Sequence, residues 1–142
     1  MTLLRNFFLA LTALFLCSFL STDTKLKDNL IGTWVQLEYL DNGILFEKQT
    51  AFAKDKPGVT FNADGTLVKR QNAGWCGTPP ISYTNNDGTW RQTSDSTVTV
   101  NYSYWGGTAE EDWLIVEVDE QEMVLQRLEV RREKKEGKLS PH

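Results

Sequence analysis

The sequence predicts an all-β fold, either a sandwich or a barrel, and three observations predict it. Apolar and polar residues alternate with period two through most segments after residue 30. Clusters of Asn, Asp, Gly and Pro interrupt them at roughly 8–12-residue spacing. Helical apolar spacing over three turns is missing. The one candidate, Ala109 to Val118, contains the run Trp113-Leu114-Ile115-Val116, which reads better as a strand.

The first strand is Gly32 to Leu40, with Val35, Leu37 and Tyr39 on one face and Gln36 and Glu38 on the other. Asp41-Asn42-Gly43 turns it, because Asn-Gly accommodates the positive φ of a tight turn. Ile44 to Phe46 begins the return, and residues 47–58 are polar and irregular up to Pro57-Gly58. Val59-Thr60-Phe61 and Thr66-Leu67-Val68-Lys69 flank Asn62-Ala63-Asp64-Gly65, the clearest hairpin in the chain. Gly74, Gly77, Pro79 and Pro80 make residues 71–80 a loop. Ile81 to Thr84 starts another strand, Asn86-Asp87-Gly88 turns it into Thr89 to Gln92, and Ser94-Asp95 turns again.

Ser96 to Trp105 is the longest strand, rich in β-branched and aromatic residues that suit a pleated surface. Val98, Val100, Tyr102 and Tyr104 share one of its faces, and Gly106-Gly107 ends it. Asp112 to Val118 and Glu122 to Val130 follow, on either side of a turn at Asp119-Glu120-Gln121. The total is eight or nine strands.

At 142 residues the chain fits one domain. Residues 1–21 read as a signal peptide: Arg5 gives a positive start, and Phe7 to Leu20 is uncharged. That run is shorter than the ~20 apolar residues of a spanning helix. A small-x-small cleavage pattern is not clean around Ser18 to Thr22. Lipidation at Cys17 and an uncleaved anchor are the alternatives, although Leu16 makes a poor lipobox. The expectation is export, periplasmic or secreted, with a lipid-anchored form as the alternative. Residues 22–130 form the folded domain, and residues 131–142 form a charged tail expected to be frayed or disordered.

The formal net charge of −4 becomes one unit more negative without Arg5. That argues against a nucleic-acid surface, which needs clustered Lys and Arg. The cysteines are Cys17 and Cys76. With Cys17 removed, Cys76 has no partner for an intramolecular disulfide. It reads as a small, partly buried residue; an intermolecular disulfide or a reactive thiol are the other readings.

The lone histidine is His142, the last residue, so neither a Ser-His-Asp or Cys-His centre nor a zinc site assembles in the core. No phosphate loop or dinucleotide fingerprint is present. The Asp-Gly pairs at 64–65 and 87–88 lack the spaced acidic ligands of a calcium loop. No cofactor or metal is expected. Acid–base work by paired carboxylates has candidates in Glu38, Glu47, Glu110, Glu111, Asp112 and Glu117, but the reading is that the chain is not an enzyme. The Asn101-Tyr102-Ser103 sequon lies mid-strand and carries little weight.

Gly32-Thr33-Trp34 opening the first strand resembles the lipocalin signature. Phe61-Asn62-Ala63-Asp64-Gly65-Thr66, Gly88-Thr89-Trp90 and the alternating Met123 to Val130 extend the likeness across roughly residues 30–130. The chain is similar to the small exported lipocalin-like domains of the calycin type. It is shorter than true lipocalins, and lacks their disulfide and an evident C-terminal helix. The resemblance implies an antiparallel up-and-down β-barrel of about eight strands, and binding without catalysis. It also implies that Gly32 and Trp34 close one end while an Arg packs on the indole. Arg127 is the candidate and Arg131 the second choice.

Six residues are candidates for a ligand site. Trp75 sits in a loop, either covering a cavity mouth or tucked against the wall. Tyr83, Trp90, Tyr102 and Tyr104 line a pocket or fill the core. Arg127 stacks on Trp34, anchors a ligand carboxylate, or faces outward. The leading functional expectation is an exported binding protein holding a small apolar or amphipathic ligand, recognisable by a cavity of ~300 Å³ or more. The alternative is a protein-interaction or structural module with a filled core and an exposed apolar patch. The expected partner is a small hydrophobic ligand. Nucleic acid is not expected, and a membrane only if the chain is lipidated at Cys17 or keeps its signal. The oligomeric state is open.

Overall fold

A computed structural model describes residues 22–135. The expected signal peptide, the Cys17 alternative and the tail beyond residue 135 lie outside the described residues. One helix, α1 (Thr22–Leu30), precedes eight strands: β1 (Gly32–Leu40), β2 (Gly43–Gln49), β3 (Gly58–Phe61), β4 (Thr66–Asn72), β5 (Tyr83–Gln92), β6 (Thr97–Tyr104), β7 (Gly107–Val118) and β8 (Glu122–Lys134).

The strands close into a barrel in which every neighbouring pair is antiparallel, so direction alternates up and down around the ring. From β3 to β8 sequence order and ring order coincide. β1 then stands between β2 and β3, and β2 closes against β8. The 50–57 connection therefore crosses outside β1, where the Pro57 carbonyl accepts from the Gln36 amide. Val35 is buried, and together with Phe52 and Ala53 it lines a shallow groove on that face.

The lower half of the barrel is a dry core. Trp34, Phe61, Leu67, Val98, Val100 and Met123 are all but fully buried in it. Phe61 meets the edges of Trp90 at 5.1 Å and of Trp113 at 6.2 Å, in the T-shaped geometry that ring quadrupoles favour. α1 caps this end. Leu26 and Leu30, four residues apart and so on one helix face, join the core. The Trp34 Nε1–H donates to the Leu30 carbonyl at 2.7 Å. A helix of nine mostly polar residues with two leucines has little periodic signal, and the sequence reading did not place one here.

Four expectations are corrected. On β1, Val35, Leu37 and Tyr39 do not form one inward face: Tyr39 is 72% exposed, and Trp34 and Gln36 are buried. A bulge between Gln36 and Glu38 breaks the alternation, and both faces near Trp34 are apolar, so period two alone is ambiguous there. Asn86-Asp87-Gly88 is no turn but the middle of β5. At Gly88 a Cβ would collide with the Asn101 carbonyl oxygen, so the glycine is needed for close approach of β6. The tail is ordered as far as Lys134, because β8 pairs with β7 up to Lys134 opposite Gly107. Cys76 is exposed rather than partly buried. Hydrogen bonding from Thr78 lowers its thiol pKa.

Candidate ligand-binding site

Above the dry core the inward positions turn polar. Ala109, Glu111, Trp113 and Ile115 alternate along β7 and are all buried, so Glu111 occupies a core position. Leu67 and Lys69 do the same on β4. On β8, a register shift beside Asp112 and Trp113 sets Arg127 opposite Trp113 and leads up to Arg132 opposite Ala109. Tyr102 comes from β6, opposite Ala109 on the other side.

These side chains converge on the Glu111 carboxylate, which is 1% exposed. The Tyr102 hydroxyl donates to Oε1 at 2.5 Å and the Trp113 Nε1–H to Oε2 at 2.6 Å. The Lys69 ammonium donates to Oε2 at 3.4 Å, and Arg127 Nε lies 3.7 Å from the same oxygen. Lys69 also stands over the Tyr102 ring, 3.7 Å from its centroid, and 5.1 Å from that of Trp113.

Burial pushes the Glu111 pKa up, but Lys69, Arg127 and the two hydrogen bonds outweigh it, and the carboxyl titrates below its ordinary value. Burial pushes Lys69 down to about 7; Glu111 opposes that shift, while Arg127 and Arg132 add to it. Burial, helped by the Glu111 charge, raises the Tyr102 phenol well above its usual range.

The cluster floors two connected hollows. A recess of about 140 Å³ is bounded by Lys69, Glu111, Trp113 and Arg127, with Gln36 and Phe46 beside them. A wider mouth of about 410 Å³ opens among Asn72, Tyr104, Trp105 and Lys134. Gln71, Tyr102 and Arg132 line both. A larger hollow, about 600 Å³, lies beside Asp87, Thr89, Asn101 and Glu110. By strand alternation those side chains point out of the barrel, so it is a groove of the outer wall.

The predicted site residues scatter over this geometry. Tyr102 walls both hollows. Tyr104 is at the mouth, with the Arg132 guanidinium 5.9 Å from its ring centroid and Trp105 edge-on at 5.7 Å. Trp90 is a core residue whose Nε1–H donates to the Asn62 carbonyl at 2.9 Å. Tyr83 is half-buried beside Arg70, 5.7 Å away. Trp75 is 81% exposed and lines neither hollow, so it neither covers the mouth nor tucks against the wall.

Arg127 lines the recess and does not stack on Trp34. The cation over that indole is Lys48 of β2, 4.9 Å from the centroid, which also donates to the Asn29 carbonyl at 3.3 Å. Gly32, at φ +130°, makes room for it: a Cβ there would lie 2.7 Å from the Lys48 Cε. Arg131, the second choice, is outside the barrel with Glu110, Asp112 and Glu129.

Of the acidic candidates, Glu111 alone belongs to the interior cluster. Among the described residues no group of three or more His, Cys, Asp or Glu is arranged to hold a metal. The sequence reading missed Lys69, Trp113 and Arg132. The alternation Ala109-Glu111-Trp113-Ile115 was the available signal, lost because the strand was begun at Asp112.

A lid helix on a closed eight-stranded barrel, with a G-x-W triplet at its base and a hollow at its mouth, narrows the comparison to one kind of domain. A family model of the lipocalin-like domain matches residues 30–125. The chain belongs to the lipocalin-like domain family. No curated protein and no solved structure gives a significant match. The match ends at Leu125, so the upper half of β8, with Arg127, Arg131 and Arg132, lies past it. The lipocalin-like barrel is a binding-protein fold, and in this chain the hollow it offers is the one floored by Glu111 and Lys69.

Proposed function

We propose that the protein is an exported, non-catalytic binding protein that takes a small, partly apolar ligand through the barrel mouth. The observation that carries the reading is the hollow itself: about 410 Å³ beside Tyr102, Tyr104 and Trp105, within the size range of small-molecule sites. A core filled for structure alone would continue the lower packing upward and leave no such space. Export rests on the sequence of residues 1–21, with Arg5 ahead of the uncharged Phe7 to Leu20.

Mass spectrometry of small molecules released from protein purified from its native host tests the ligand. One compound recovered at near-stoichiometric yield is expected, and its loss in Tyr104→Ala together with Trp105→Ala places it at the mouth. Ligand-free protein that also takes up no amphipathic dye would overturn the reading.

The interaction-module reading draws on one observation, the exposure of Trp75 at 81% and Trp105 at 56%. It expected a solid interior, and the mouth is hollow.

A further inference from the structure

The recess below the mouth holds more positive than negative charge. Lys69, Arg127 and Arg132 face it, and Glu111 is the one carboxylate among them. Glu111 brings one negative charge against three positive ones. Tyr102 occupies Oε1, and Trp113 and Lys69 share Oε2. Arg127 comes no nearer than 3.7 Å, and Arg132 forms no ion pair among the described residues.

Arg70, also on this wall, is committed elsewhere. Its guanidinium donates to the Ala53 and Lys54 carbonyls and to Asn85 Oδ1. The Lys69 ammonium, 8% exposed, has three N–H donors and one carboxylate contact, at 3.4 Å. Arg127 and Arg132 both act on Lys69 as repelling neighbours, the electrostatic sign of a surplus. Lys69 is buried, whereas Arg127 and Arg132 keep contact with solvent, so an anion entering the recess replaces water on the two guanidiniums and gives Lys69 a second partner.

Resting on the reading above, we propose that the recess binds the anionic head of an amphipathic ligand. A carboxylate, sulfonate or phosphate lies between Arg127, Arg132 and Lys69, and the apolar body lies against Tyr104 and Trp105 at the mouth. The recess has room for roughly four or five waters, at ~30 Å³ each, which such a head group displaces. The two guanidiniums offer planar forks suited to an oxyanion, and Lys69 adds a point charge beneath them. The ring of Tyr104, under Arg132, gives the body an apolar surface one side chain above the head.

Two dyes with one ring system separate the two claims. Anilinonaphthalene sulfonate carries the anion, and phenylnaphthylamine is the same amine without it. Fluorescence titration of the full-length protein should show the sulfonate binding at least about tenfold more tightly than the neutral amine. Arg127→Gln with Arg132→Gln should remove that advantage, so that the sulfonate binds no more tightly than the neutral amine. Arg91→Gln, on the outer wall, should change neither.

Arg132→Gln alone keeps the test standing if the double variant does not fold, with a loss of about threefold or more for the sulfonate. Equal binding of both dyes by the wild type, or sulfonate binding unaffected by the Arg variants, overturns the anion site and leaves the ligand hollow intact. Binding of neither dye overturns both.

Discussion

Glu111→Gln tests what holds the polar floor together. The swap keeps the side chain's shape and removes one charge. The amide oxygen can take the place of Oε2 and keep the Trp113 and Lys69 donors, while the amide N–H donates to the Tyr102 oxygen. The Tyr102 O–H is the one donor that loses its acceptor. Two hydrogen bonds fall from charge-assisted to neutral, a loss of about 1 kcal/mol each. The partners of Glu111 outweigh its burial, so removing the charge is a net loss to the fold.

The larger effect passes through Lys69. A buried pair broken on one side costs about 3–5 kcal/mol when the survivor stays charged. Lys69, already pushed down to about 7, avoids that cost near pH 8 by giving up its proton. Below pH 7 the wild type keeps that proton and the variant does not, so the gap widens by about 1.4 kcal/mol per pH unit. The expected destabilisation is about 2 kcal/mol at pH 8 and about 4–5 kcal/mol at pH 5. Urea unfolding at four pH values between 5 and 8, followed by tryptophan fluorescence, measures it. A gap that does not change with pH, or a variant as stable as the wild type at pH 5, refutes the reasoning.

Three further outcomes follow from the same structure. Trp34→Phe leaves the Leu30 carbonyl unpaired and should cost about 2 kcal/mol in urea unfolding, with faster amide exchange confined to α1; uniform exchange across the barrel would contradict it. Gly88→Ala drives a methyl into the Asn101 carbonyl and should cost about 2–3 kcal/mol, read as a lower urea midpoint; a change below about 0.5 kcal/mol would show that β5 and β6 can part there freely. Wild-type stability should rise with pH from about 7 to 10, because the unfolded chain keeps a Lys69 proton, at its ordinary value of 10.5, that the folded chain has released. Above pH 10 the raised Tyr102 phenol reverses the slope, since the unfolded chain then loses a proton that the folded chain keeps. Lys69→Met should abolish the rise.

Strand content, the Asp64-Gly65 hairpin and the Asp119–Gln121 turn were legible because each depends on residues adjacent in sequence. Gly88 was misread because glycine before a β-branched residue serves a turn or a close strand approach equally well, and the choice is made by β6, thirteen residues away at Asn101. Arg127 was given to Trp34 by family likeness. The residue that reaches the indole is Lys48, placed by the pairing of Trp34 with Lys48 across β1 and β2, and that register was not readable beyond Phe46. The interior cluster was hidden for a related reason. Lys69 and Glu111 look like surface charges unless the strand phase is known on both sides of them. The two lie on strands that are not neighbours in the barrel, so no local pattern joins them.

The position of the charged cluster argues that it serves the hollow rather than the fold. A buried ion pair is a poor source of stability, and well-packed apolar residues of similar volume commonly do as well or better. This chain uses that solution in its lower half, where Trp34, Phe61, Leu67 and Met123 fill the barrel without a charge. The change to Lys69, Glu111 and Arg127 comes one inward position above Leu67, Trp113 and Leu125, at the height where filled space gives way to open space. Apolar side chains at that height would continue the core upward and close the recess. Charged ones resist collapse, because any side chain moving in would have to desolvate them without offering a partner. The polar floor thus keeps the hollow open and sets its sign, and under the anion-site proposal the cation surplus decides which ligands gain by entering.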